Sequence, residues 1–213
     1  MTNNKVIEKC KNLLLDLPNV TAAEHVESKV SNITTAWSHK AWSPEQIARD
    51  IGANFYDGCV EAKLPIDNVK IKTDHDQVVV HSPNTKFSLK KLFFLGSSKT
   101  GESGEIGKHG EGFKLSIVSL ARISVFDPIN ISGSDALIIT IGNEDEETKL
   151  RPLVSNYFKI NEQNGTFFIV NTISDELKKA FKKTMLNFFH LKNELVGELL
   201  HEYNEIECYK SNT

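Results

Sequence analysis

The sequence is poor in cysteine, opens without a sustained apolar run, and has little excess charge of either sign. Its three cysteines, Cys10, Cys59 and Cys208, are far apart and odd in number. That excludes a disulfide framework and any zinc-ligand spacing. The opening "MTNNKVIEKCKNLLLDL" carries Glu8 and Asp16 among its apolar residues, so it is neither a signal peptide nor a membrane span. A reducing, cytoplasmic setting is the default expectation, with no membrane partner. The formal net charge is -3, and nucleic acid, which needs a basic surface, is not indicated. The one basic cluster, "KKAFKK" from Lys178 to Lys183, reads as the solvated face of a helix. Neither internal repeats nor low-complexity tracts occur.

What is present is an ordinary globular balance. With 213 residues, 39% hydrophobic and 25% charged, the chain can bury one substantial core or two small ones. Val6, Ile7, Cys10, Leu13, Leu14 and Leu17 predict an amphipathic helix over 3–17, ended by Pro18-Asn19. A second helical stretch is expected over about 21–36. Ser43-Pro44-Glu45-Gln46 combines an N-cap, a proline at the first helical position and a capping-box glutamine. That helix should reach about Ala62, because Pro65 bars continuation.

Two strands, 69–73 and 77–82, are joined by a tight "DHD" turn. Residues 87–95 read as helical, 96–110 as a long polar loop with glycines, and 111–123 as a helix. Loops of this length in a compact domain are usually functional or mobile. Strands are expected at 123–127, 136–142 and 166–171, and helices at about 174–189 and 193–201. The final "IECYKSNT" starts as a strand and stops, which suggests the front part of a longer protein. The order of elements predicts an α+β sandwich with a largely antiparallel sheet.

The glycine loop "EIGKHGEGFK" (Glu105 to Lys114) raises the question of phosphate binding, since such turns present backbone N–H groups to anions. Neither common template fits. In the P-loop pattern, Glu102 stands where the first glycine belongs and His109 where Ser or Thr should bind magnesium. The dinucleotide fingerprint needs G-x-G-x-x-G directly after a strand. Here the order is G-x-x-G-x-G, at Gly107, Gly110 and Gly112, after a long loop.

The upstream helix supplies a second element. Asp50, Asn54 and Asp57 lie at i, i+4 and i+7, one stripe of a helix. The stripe borders the apolar row Ile47, Ile51, Phe55, while Glu45, Arg49, Gly52 and Tyr56 point the other way. Carboxylate and amide oxygens there suit a hard cation that keeps waters and phosphate oxygens as its other ligands. A carboxylate one turn away is placed to orient or deprotonate a water.

This combination resembles the GHKL ATP-binding domain, the Bergerat fold shared by type II topoisomerases, ninety-kilodalton heat-shock chaperones, sensor histidine kinases and MutL. "DIGANFYDG" is similar to that family's acidic-x-x-x-Asn-x-x-Asp helix, and "IGKHGEGF" (Ile106 to Phe113) to its second glycine box. Ser97 to Gly107 would be its ATP lid, and Gly165-Thr166 its Gly-Thr entering a central strand. The resemblance covers roughly 44–172. It implies a two-layer α/β sandwich, a mostly antiparallel mixed sheet covered on one face by helices. Residues 1–42 would form a helical N-terminal extension, and 43–213 the ATP-binding domain.

It implies ATP and Mg2+ as cofactors, with hydrolysis as the activity. Asn54 would ligate Mg2+ and Asp50 would be the catalytic base. Asp57 belongs to the same nucleotide-binding stripe. Gly107, Lys108, His109, Gly110, Glu111, Gly112 and Phe113 would form the phosphate cradle, and Thr166 would help hold adenine. By its charge alone, Lys99 in the lid is a candidate to reach a phosphate. Dimerisation is implied too, with the segment before Ser43 as docking or swapped element, and a protein partner through segments beyond Thr213. No phosphoacceptor helix precedes Ser43, which sets the kinase branch aside.

The chain departs from the family at the first glycine box, Asp-x-Gly-x-Gly. Counting back from Phe87 puts Ser82 in the Asp slot and Asn84 in the first Gly slot, with His81 as a one-residue alternative. A hydroxyl or amide oxygen still accepts a hydrogen bond, without the charge that strengthens it. That leaves adenine against guanine open. Asp50 also stands where many members have Glu, one methylene longer. A non-hydrolysing nucleotide-sensing or protein-interaction module is the alternative reading.

Overall fold

The computed structural model describes residues 4–37, 41–93, 112–172, 174–184, 196–203 and 206–211. Helix α1 spans Asn4–Leu15. Helix α2 spans Pro44–Glu61, and its start follows the sequence signal. The Gln46 N–H donates to Ser43 Oγ at 3.3 Å and the Ser43 N–H to Gln46 Oε1 at 3.0 Å, so two of the helix's otherwise orphaned donors are paired. Strands β2 (Lys70–Thr73) and β3 (Gln77–Ser82) pair antiparallel as a hairpin. Helix α3 covers Gly112–Arg122.

Several elements differ from expectation. The stretch expected as a helix over 21–36 is a strand, β1 (Ala23–Thr34). Val26 and Val30, at helical spacing, are 54% and 71% exposed in the strand, so their burial is not what decides the conformation. Pairing with strand β6 (Pro152–Ile160) decides the conformation instead. The segment before Ser43 is therefore helix plus strand, and not helical throughout. No strand forms at 123–127, because Ser124 and Asp127 adopt φ of +60° and +53°, incompatible with an extended run. Strand β4 begins later, at Ile129–Ser132, and β5 runs over Asp135–Ile141.

Strand β6 itself escaped the sequence reading. It is buried on both faces, and so lacks the alternation that betrays a half-buried strand. Strand β7 is Thr166–Asn171, as expected. Of the 87–95 helix, a 3-10 turn at Leu89–Phe93 forms. Helix α4 is Asp175–Lys183; the expected continuation over 185–189 lies outside the described residues. The helix expected at 193–201 is instead strand β8 (Val196–Tyr203), which pairs with β9 (Ile206–Ser211).

The class is α+β. The main sheet has seven strands in the order β1-β6-β5-β4-β7-β3-β2, and every neighbouring pair is antiparallel. Helices do not confine themselves to one face. On one side Val78, Val80, Leu137, Ile139, Phe168 and Val170 pack against α2, α3 and α4. On the other, Ile129, Ile131, Ile138, Phe158 and Ile169 pack against Cys10 and Leu14 of α1. The result is three layers. An amphipathic α1 covers the apolar residues that face away from α2, which otherwise would meet water at about 25 cal/mol per Å2.

Candidate functional site

The site is built on α2. Ile47, Ile51, Phe55 and Cys59 are buried in the core, and the stripe Asp50, Asn54, Asp57 runs beside them. Asn54 Nδ2 donates to the Asp50 carbonyl at 3.0 Å and approaches Asp50 Oδ2 at 3.5 Å. Asp57 is 4% exposed. Gly52 is buried as well, and Tyr56 is half-buried against the core, so this side of α2 is not a fully solvated face. The reason is that α2 is flanked by α3 and α4 in addition to lying on the sheet.

Helix α3 brings its first turn to the stripe. Ser116 Oγ donates to Asp50 Oδ2 at 3.0 Å. A Cβ at Gly112 would lie 2.0 Å from Asp50 Oδ1, so only glycine lets the carboxylate approach this closely. Gly112 and Ser116 are one turn apart and share a face. A carboxylate at a helix N-terminus is also favoured by the exposed N–H groups there. Phe113 and Lys114 are buried beside them, at 7% and 0% exposure. Lys99, Gly107, Lys108, His109, Gly110 and Glu111 lie outside the described residues.

The ends of β3 and β7 form the second half. Ser82 and Thr166 are Cα partners across the two strands, and both side chains are buried. Gly165 has φ of +99°, and a Cβ there would lie 2.1 Å from the Ser82 carbonyl oxygen, so Gly165 is required by both torsion and space. Thr85 Oγ1 donates to the Ser82 carbonyl at 2.7 Å and lies 2.6 Å from Thr166 Oγ1. The Ser82 hydroxyl accepts from Asn68 Nδ2 at 2.8 Å and lies 3.4 Å from Cys59 Sγ. Asn84 adopts φ of +61°, the left-handed region where a glycine is at home, and is exposed. His81 is on the opposite face of β3, stacked on Phe167 at 4.0 Å, away from α2.

No protein-family model matches the chain, and no curated protein matches it.

The structure thus joins Asp50 and Asn54 to Gly112, and Ser82 to Thr166. It adds Ser116, Thr85, Asn68 and Cys59, which sequence reasoning missed. Ser116 had a usable signal, one turn beyond Gly112 on the same face. Asn68 had none, since its bond to Ser82 depends on how the hairpin folds back. Among the described residues, no cluster of three or more His, Cys, Asp or Glu is placed to hold a metal. The donors present fit a cation that needs few protein ligands. With Nδ2 on the Asp50 carbonyl, Asn54 presents its Oδ1 as a neutral oxygen ligand, and Mg2+ takes one or two such groups plus waters and phosphate oxygens. Among the described residues no helix is long and apolar enough to cross a membrane.

Proposed function

We propose that the chain is a Mg2+-dependent nucleotide-binding domain of the GHKL type, with a Bergerat-type fold, that hydrolyses ATP to drive a conformational or dimerisation switch. The observation that supports this best is the meeting of Asp50 with Ser116 at 3.0 Å, across 66 residues of sequence. It draws the acid-amide stripe of α2 to the helix that follows the glycine loop, where a polyphosphate is favoured.

In this reading Asn54 would hold Mg2+ through Oδ1, and the ion would neutralise charge on the phosphates. Asp50 orients the attacking water and takes its proton. Ser116 fixes the Asp50 carboxylate, and Gly112 leaves room for it. Thr85 and Thr166 form the buried polar contact at the paired ends of β3 and β7.

Binding without turnover is the second reading. One Asp50 oxygen accepts from Ser116 and the other lies against Gly112, which leaves the carboxylate less free to serve a water.

The test is calorimetric titration of Mg-ATP and Mg-GTP into wild type and Asn54→Ala, with phosphate release measured on the same samples. Binding that needs both Mg2+ and Asn54 is expected, with release lost in Asp50→Ala. Binding with no release in wild type selects the second reading. Failure of folded wild type to bind either nucleotide overturns both.

A further inference from the structure

The central strand β4 holds an unusual group. Asn130 is 2% exposed, and its Nδ2 has no hydrogen-bond partner among the described residues. Its Cα partners are Phe168 on β7 and Leu137 on β5. Both belong to the core on the α2–α3 face, so Asn130 points to that face and has apolar neighbours on either side. Such a donor is destabilising when left unpaired, and native proteins rarely keep one without a use.

Its surroundings are polar on one side. Ser132, two residues along β4 and on the same face, is the Cα partner of Thr166, which in turn partners Ser82. Ser82, Thr166 and Ser132 therefore form a polar row across three strands, with Asn130 about 7 Å further along. Each hydroxyl oxygen of the row already takes part in a hydrogen bond. Ser82 accepts from Asn68, Thr166 meets Thr85, and Ser132 Oγ accepts from the Phe87 N–H at 3.0 Å. Beside this row the Asn130 Nδ2 is the side-chain nitrogen that has no partner among the described residues. Among the described residues two other buried atoms are unpaired, Thr73 Oγ1 and Thr184 Oγ1, but they sit at the end of β2 and at the C-cap of α4, away from the row.

We propose that Asn130 is a specificity-determining residue of the nucleotide site, its Nδ2 donating to an in-plane acceptor of a purine base. This rests on the nucleotide reading above. The acceptor is a ring nitrogen in adenine and includes the 6-oxo group in guanine or hypoxanthine. The base would thus be read by a neutral donor, while the serine in the Asp slot is spent on holding Asn68.

The experiment measures affinity and melting temperature together, on wild type, Asn130→Leu and Asn130→Val, with Mg-ATP, Mg-GTP and Mg-ITP. An apolar side chain removes the unpaired donor, so the melting temperature of the nucleotide-free protein is expected to stay level or rise. Affinity is expected to fall about tenfold or more for the nucleotide whose acceptor Asn130 reads. A loss confined to GTP and ITP identifies the 6-oxo group; an equal loss with ATP identifies a ring nitrogen. Unchanged affinity in both variants overturns the proposal, as does a fall in melting temperature in both, which would make Asn130 structural. Failure of wild type to bind any of the three overturns the underlying reading, and is distinguishable because it needs no variant.

Discussion

The carboxylate of Asp50 occupies the space that a side chain at residue 112 would need, with Oδ1 2.0 Å from the ideal Cβ position of Gly112. Two helices are thereby locked at one point by the smallest residue on one and a short acid on the other.

Gly112→Ala should therefore destabilise by about 1–3 kcal/mol, the usual cost of overpacking. In an Asp50→Ala background most of that cost should disappear, because the carboxylate that fills the space is gone. Chemical denaturation of the four proteins in the cycle reads this directly. A cost that persists without the carboxylate would refute the steric account.

Ser116→Ala removes the donor that holds Asp50 Oδ2. If Asp50 acts on a water, turnover should fall about tenfold while Mg-ATP affinity stays unchanged, since the hydroxyl positions the base and does not hold the nucleotide. Asp50→Ala should lose turnover altogether. An equal loss of affinity in Ser116→Ala would assign Ser116 to binding instead.

The pair Thr85 and Thr166 should respond unequally. Thr85 donates to the Ser82 carbonyl, so Thr166 is left as the donor in their shared bond. Thr85→Val leaves the Thr166 hydroxyl without its acceptor and takes the side-chain donor from the Ser82 carbonyl, at about 1–3 kcal/mol. Thr166→Val strands only an accepting lone pair and should cost less. Denaturation midpoints of the two single variants and the double variant test the order.

Cys10 sets a pH dependence. Burial, with Asp127 adding to it, pushes its thiol from 9.0 up to about 12. The unfolded thiol ionises near 9.0 and the folded one does not, so the unfolded chain binds fewer protons between these values. Stability should be complete below pH 9 and fall as pH rises toward 12. Cys10→Ala should show a shallower fall over that window in denaturation experiments. In native protein at neutral pH, a thiol reagent should modify exposed Cys208 well before buried Cys10 and Cys59.

The parts of the fold legible in sequence are those specified locally. Ser43, Pro44 and Gln46 fix the start of α2 within one turn, and the DHD turn closes β2 on β3 within three residues. Gly112 and the periodicity after it announce α3, and the i, i+4, i+7 spacing puts Asp50 and Asn54 on one stripe. Capping, turn chemistry and periodicity act over a few residues, so a single sequence displays them.

Tertiary structure decided the rest. Strand β1 exists because β6 lies beside it, for instance through Ser28 and Asn156, 128 residues apart and bonded at 2.8 Å. The third layer exists because the sheet has a second apolar face for α1 to cover. Which atom of Ser82 faces Asn68, which oxygen of Asp50 faces Ser116, and that Asn130 lacks a partner follow from strand register and helix packing. Those are sums over many distant contacts, each weak on its own, and no local pattern encodes them.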